Sequence, residues 1–193
     1  MVETDHGIRG DVNIPGVIAG VLTLILPFLG AWWILVIGTD AIVINASPFE
    51  VRTIILGNDV ASPLFEWFCL GLKLGVMYLG ALLVAGSVFP AIGQSEEIAG
   101  IFIRFASRKL FWIVLIFVAS LIAFITLANQ SATLLTAQVH LPYLVGTETV
   151  SANTDNLSIT VPISMKLTSA FGVAVVAAIT GIYSRIFRKA TRG

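Results

Sequence analysis

Charge is what this sequence has least of. Of its 193 residues only 11% are Asp, Glu, Lys or Arg, where a soluble domain carries about 25%. The deficit falls in four long apolar blocks, so charges are missing where lipid would forbid them. Eleven basic residues balance eleven acidic ones. No net field therefore draws nucleic acid, and nucleic-acid binding is set aside as a function class.

Cysteine and histidine are almost as scarce. Cys69 is the single cysteine and sits inside an apolar block, so no disulfide within the chain staples its loops. His6 and His140 are the only histidines. Two histidines and a membrane-embedded thiol make neither a zinc quartet nor a bis-histidine haem site, and His140 with Glu148 would need ligands from a second subunit to hold a metal. Also missing are a Gly-rich phosphate loop with its lysine and a G-x-S-x-G elbow. These absences lead to the expectation of no catalytic residue, no cofactor and no metal. An enzymatic role is left only as a cofactor-free subunit of a membrane enzyme complex.

What the chain does have is length without charge. The first block, about residues 15–38, offers over twenty apolar residues, enough to cross a hydrocarbon core of about 30 Å at 1.5 Å per residue. It is too long for a signal-peptide core, and its flank holds Glu3, Asp5 and Asp11 against Arg9, so it is expected to be retained. Pro27 lies inside it and should kink it. The other blocks are about 64–92, 110–128 and 166–186. Together they predict an all-α membrane protein, a bundle of four transmembrane helices with both ends on one side.

Arginine and lysine set the orientation. The loop between spans two and three holds Arg104, Arg108 and Lys109, and the tail holds Arg185, Arg188, Lys189 and Arg192, whereas the other two loops hold Arg52 and Lys166. That bias of seven to two places both termini in the cytoplasm and implies a multi-pass protein of the cell membrane. The N-x-S/T sequons at Asn45, Asn129 and Asn156 all fall in or beside the segments thus made external, and are candidate glycosylation sites or ordinary polar loop residues. Trp32, Trp33 and Trp67 populate an outer aromatic belt, Trp112 and Tyr183 an inner one.

The outer loops read as folded. In loop 39–63, runs 41–44 and 51–56 are β-branched, separated by Asn45 to Glu50 and closed by Gly57-Asn58-Asp59, which predicts a hairpin. Loop 129–165 offers strands at 134–141, 147–151 and 157–163, with turn chemistry at Pro142, Gly146 and Asn153-Thr154-Asp155. One small extracytoplasmic sheet of up to five strands is expected. The inner segment 95–109 repeats Ile98, Ile101, Phe102 and Phe105 at helical spacing, with Glu97, Arg104 and Arg108 opposite and Ser95 as N-cap. It reads as a helix on the inner leaflet, an extension of span three, or a partner-docking helix.

Inside the spans, Lys73 is the informative charge, since a cation there costs about 2.5–3.5 kcal/mol on insertion scales. It lies six residues beyond Trp67, about 9 Å along a helix, so it is either a snorkelling or carboxylate-paired structural lysine, or a transport residue. Glu66, two turns away on the same face, and Asp59 in the preceding loop are its candidate partners. Small residues four apart recur at Gly16/Gly20, Gly71/Gly75, Ala81/Ala85, Ala174/Ala178 and Ala177/Gly181. Such faces suit close packing of the helices, or an oligomer interface.

In this arrangement of inner termini, four spans and outer strands, the chain resembles claudin-type four-helix membrane proteins. The likeness is of topology only. The tryptophan and double-cysteine signature of that family's first outer loop is absent here. The expected function is a non-enzymatic membrane scaffold or accessory subunit, held in lipid and associating with other membrane-protein subunits or with itself through helix faces and outer sheet. The rival is a small oligomeric transporter or channel with Lys73 in its pathway.

Overall fold

A computed structural model describes residues 11–60, 63–134, 141–142, 144–154 and 157–190. His140 and Asn156 lie outside the described residues, as does most of the strand expected at 134–141, whose first residue, Leu134, is helical. The chain is mostly helical, with one antiparallel sheet. Among the described residues, three helices are long and apolar enough to cross a membrane, Pro63–Ile92, Glu96–Ser131 and Ser169–Phe187, which supports a membrane-embedded protein.

The first block departs from expectation. Helix α1 (Ile14–Ile25) has Asn13 as its N-cap, whose side chain accepts from Gly16 N, and Pro15 in its first turn. It tightens into a 3-10 turn at Leu26–Phe28. Pro27 removes a backbone donor, and Gly30 takes a left-handed φ of 81° that turns the chain. The rest of the block, Trp33–Ile37, is not helix but strand β1. Its Trp-Ile-Leu-Val-Ile run suits a pleated surface, and a strand paired on both sides reads as continuously apolar, like a buried helix.

β1 is what joins the two loops into one sheet. The order is β4-β3-β2-β1-β6-β5, with β2 (Ile42–Ser47), β3 (Glu50–Ile55), β4 (Asn58–Val60), β5 (Gly146–Thr154) and β6 (Leu157–Leu167). β1 pairs with β2 through Trp33↔Ala46 and Leu35↔Ile44, and with β6 through Trp33↔Leu167 and Leu35↔Met165. Among the described residues the sheet therefore has six strands, where up to five were expected. The β2–β3 turn shrinks to Pro48-Phe49 because Ser47 Oγ accepts from the N–H groups of Phe49 and Glu50. β3 turns into β4 at Leu56 and Gly57, both at positive φ (50° and 80°), the mirror-image turn that a twisted hairpin requires.

By compactness the chain divides into two units. The sheet unit comprises Leu29–Lys73 and Leu115–Gly172. Its core places Trp33, Leu35, Ala46, Ile163 and Met165 of the sheet on Leu121 and Ile125 of α3 (Glu96–Leu134). Trp33 Nε1 donates to Leu144 O at 2.9 Å. Trp32 is fully buried among Phe49, Phe117 and Phe171, edge-on at 5.2–6.1 Å between ring centroids. Both tryptophans are core residues of this unit, not members of an outer belt. Trp67 is exposed.

The helical unit takes α1, α2 (Pro63–Val88) from Leu74, α3 up to Val114 and α4 (Ser169–Ala190) from Val173. Its helices meet through small residues. A Cβ built on Gly20 would lie 2.8 Å from Val84 N and 3.0 Å from Gly80 O. One on Gly86 would lie 2.9 Å from Ala99 O, and one on Gly16 would clash with Ser87 and Ser184. Ala174, Ala178 and Gly181 are buried, whereas an added Cβ on Gly75, or on Gly71 of the sheet unit, would meet nothing within 4 Å among the described residues. A buried polar node ties three helices: Asn13 Nδ2 donates to Ser184 Oγ (2.8 Å) and Ser184 O (3.2 Å), and Asn13 N donates to Ser87 O (3.1 Å).

The inner segment 95–109 is the start of α3, which runs unbroken for 39 residues, about 58 Å. Ser95 O accepts from Ala99 N. The face turned inward is Ala99, Ile103, Ala106 and Leu110, while Ile98, Ile101 and Phe105 are exposed.

Candidate functional site

Five charged residues of the sheet unit, Glu50, Arg52, Asp59, Glu66 and Lys73, meet beside α2's first turns. Glu66, Cys69, Leu70 and Lys73 recur at the three- and four-residue spacing that shares a helix face, and all four line one cavity of about 380 Å³. Its other wall comes from the hairpin: Phe49, Glu50, Val51 and Arg52 of the β2–β3 region, and Asp59 of β4. Arg52 Nε donates to Asp59 Oδ2 at 2.6 Å. With these side chains 52% and 41% exposed, such a pair contributes about 0–1 kcal/mol and mainly orients the guanidinium. Cys69 is buried, its thiol against the backbone of Val51. The opposite face of the same turns carries exposed Leu64, Trp67 and Phe68.

Lys73 and Glu66, paired from sequence as distant neighbours on one face, thus share a cavity wall with a second set of charges that spacing alone did not reveal. Glu50 and Arg52 belong to β3, ahead of α2 in the chain, and only the alternation Glu50-Val51-Arg52 hinted that both side chains share a strand face. A second cavity of about 360 Å³ has Glu50 and Arg52 in common with the first and adds Asn45, Thr168 and Ser169.

The sequons fall into structured positions. Asn45 is half-buried in β2, its backbone between Ile34 of β1 and Arg52 of β3. Asn129 is on α3, where its amide donates to Leu141 O at 3.2 Å and accepts from Leu141 N at 2.7 Å. Among the described residues no three or more His, Cys, Asp or Glu side chains come together as a metal site, so Glu50, Asp59 and Glu66 do not converge. The cavity is lined by acidic, basic and apolar side chains and by the Cys69 thiol. What it offers is charge of both signs on the walls of one cavity. In comparisons with known proteins, no family model, no curated protein and no solved structure matches this chain.

Proposed function

We propose that the chain is a non-enzymatic scaffold or accessory subunit of a membrane assembly, which it joins through its sheet and its helix faces. The observation that carries this reading is the sheet's rim. One rim, β4, is three residues long, whereas the other, β5, is nine residues long and among the described residues pairs on one side only. A long edge strand presents a row of backbone N–H and C=O groups to which a strand of another chain can add. In this reading α1 with its 3-10 turn is a fourth, short crossing of about 24 Å, which a locally thinned bilayer accommodates. The topology is then the claudin-like one, with the sheet outside and both termini in the cytoplasm of a plasma-membrane protein, as the lysine and arginine bias requires.

The test is the mass and composition of the species extracted from its native membrane in mild detergent. A complex with other polypeptides, or a defined homo-oligomer, is expected. A monomer that carries no other chain would refute the scaffold reading.

A further inference from the structure

We propose that the cavity between the β2–β3–β4 hairpin and the first turns of α2 binds the headgroup of a zwitterionic phospholipid bearing a primary amine, of the phosphoethanolamine type. This goes beyond the scaffold reading and does not depend on it; it needs only that α2 lies in a membrane.

Charge selects the ligand class. Glu50, Asp59 and Glu66 line the cavity together with Arg52 and Lys73. An anion alone would be opposed by three carboxylates and a cation alone by two basic groups, whereas a ligand carrying both signs meets a partner for each. The three carboxylates do not gather as metal ligands do. Arg52 is already held at 2.6 Å by Asp59, which fixes a planar guanidinium with donors to spare for a phosphate oxygen. Glu50 and Glu66 are the acceptors for an ammonium group, whose N–H donors a carboxylate satisfies.

Position selects the lipid. The charge-free run of α2 begins at Leu74, next to Lys73. It continues to the end of α2 at Val88 and through a 3-10 turn at Phe89–Ile92, 19 residues and about 30 Å in all, the thickness of the hydrocarbon core. The cavity's residues on α2 therefore sit at headgroup depth. Phe65 and Leu70 supply apolar wall beside the charges, and exposed Leu64, Trp67 and Phe68 lie on the opposite, lipid-compatible side of the same turns.

The test uses the full chain, purified in mild detergent, stripped of lipid and titrated with short-chain phosphatidylethanolamine, phosphatidylglycerol or phosphatidylcholine while native mass spectrometry follows binding. Phosphatidylethanolamine should bind at least about tenfold more tightly than the other two. Lys73→Met and Glu66→Gln should each weaken it about tenfold with unchanged circular dichroism, and Lys73→Arg should stay within about threefold of the parent. If Lys73→Met does not remain monodisperse, Glu50→Gln, on the exposed strand, carries the same expectation. Equal binding of the three lipids, or binding indifferent to Glu66→Gln and Glu50→Gln, overturns the proposal. Water-soluble O-phosphoethanolamine binding as tightly as the lipid would uphold the headgroup chemistry and overturn the membrane as its source. Failure here leaves the scaffold reading standing, because that reading is judged by what co-purifies.

Discussion

Single residues carry opposite consequences at positions that look alike in sequence. Gly20 and Gly75 both belong to small-residue pairs four apart, yet a Cβ on Gly20 would press on Val84 N and Gly80 O while one on Gly75 meets nothing within 4 Å. Gly20→Ala is expected to lose about 1–3 kcal/mol, because backbone on the neighbouring helix cannot move aside as a side chain can. Gly75→Ala should be neutral or gain up to about 1 kcal/mol through helix propensity. Reversible unfolding in mixed micelles reads both. Trp32 makes a second contrast: it is fully buried, and its Nε1 has no hydrogen-bond partner among the described residues. Trp32→Phe removes that orphaned donor and keeps most of the ring, so the loss should stay under about 1.5 kcal/mol. Trp32→Ala empties the space between Phe49, Phe117 and Phe171 and should lose about 3–5 kcal/mol in the same assay. The cavity around Lys73 was half legible at this scale. Glu66 and Lys73 share a face by spacing, but Glu50, Arg52 and Asp59 reach them only because the hairpin folds beside α2.

At the level of elements, the sequence located apolar segments better than it assigned them. Trp33–Ile37 satisfies the same hydropathy as a membrane helix. Pro27, Gly30 and the pairing of β1 on both sides decided for a strand, and that pairing was invisible because its partners lie at Ile42–Ala46 and Ile163–Leu167. In α3 the helical period was legible in the sequence, and which side packs against other helices was not. Ile98, Ile101 and Phe105 form a stripe, but they point outward, while Ala99, Ile103 and Ala106 pack inward. In water the large apolar face is buried; in a bilayer lipid receives it, and small residues let backbones approach. The β3–β4 turn depends on Gly57 at φ 80°. Gly57→Ala should lose about 1–2 kcal/mol, since a side chain is strained in the left-handed region. Thermal unfolding measures this, and Asn58→Ala, at the start of β4, provides a neighbouring control.

For the whole molecule, the rim formed by β5 separates the scaffold reading from others. Thr147 and Thr149 are exposed on that strand. Thr147→Lys with Thr149→Lys should abolish association while the chain itself stays folded, because charge on an edge strand discourages strand addition. Size-exclusion chromatography with light scattering, beside circular dichroism, checks it, and an unchanged assembly would remove β5 from the interface. What the sequence by itself determined was the solvent each segment tolerates. Missing charge made three long helices membrane-compatible, the short Gly20 and Gly16 side chains made close packing available, and β-branched loops made strands. What only the tertiary structure decided was pairing: that β1 lies between β2 and β6, that Trp32 and Trp33 are core, and that five charges share one cavity. The physical reason is that hydropathy and propensity act along the chain over a few residues. Strand registry and the meeting of charges from hairpin and helix depend on groups tens of residues apart, which are brought together only when the chain folds.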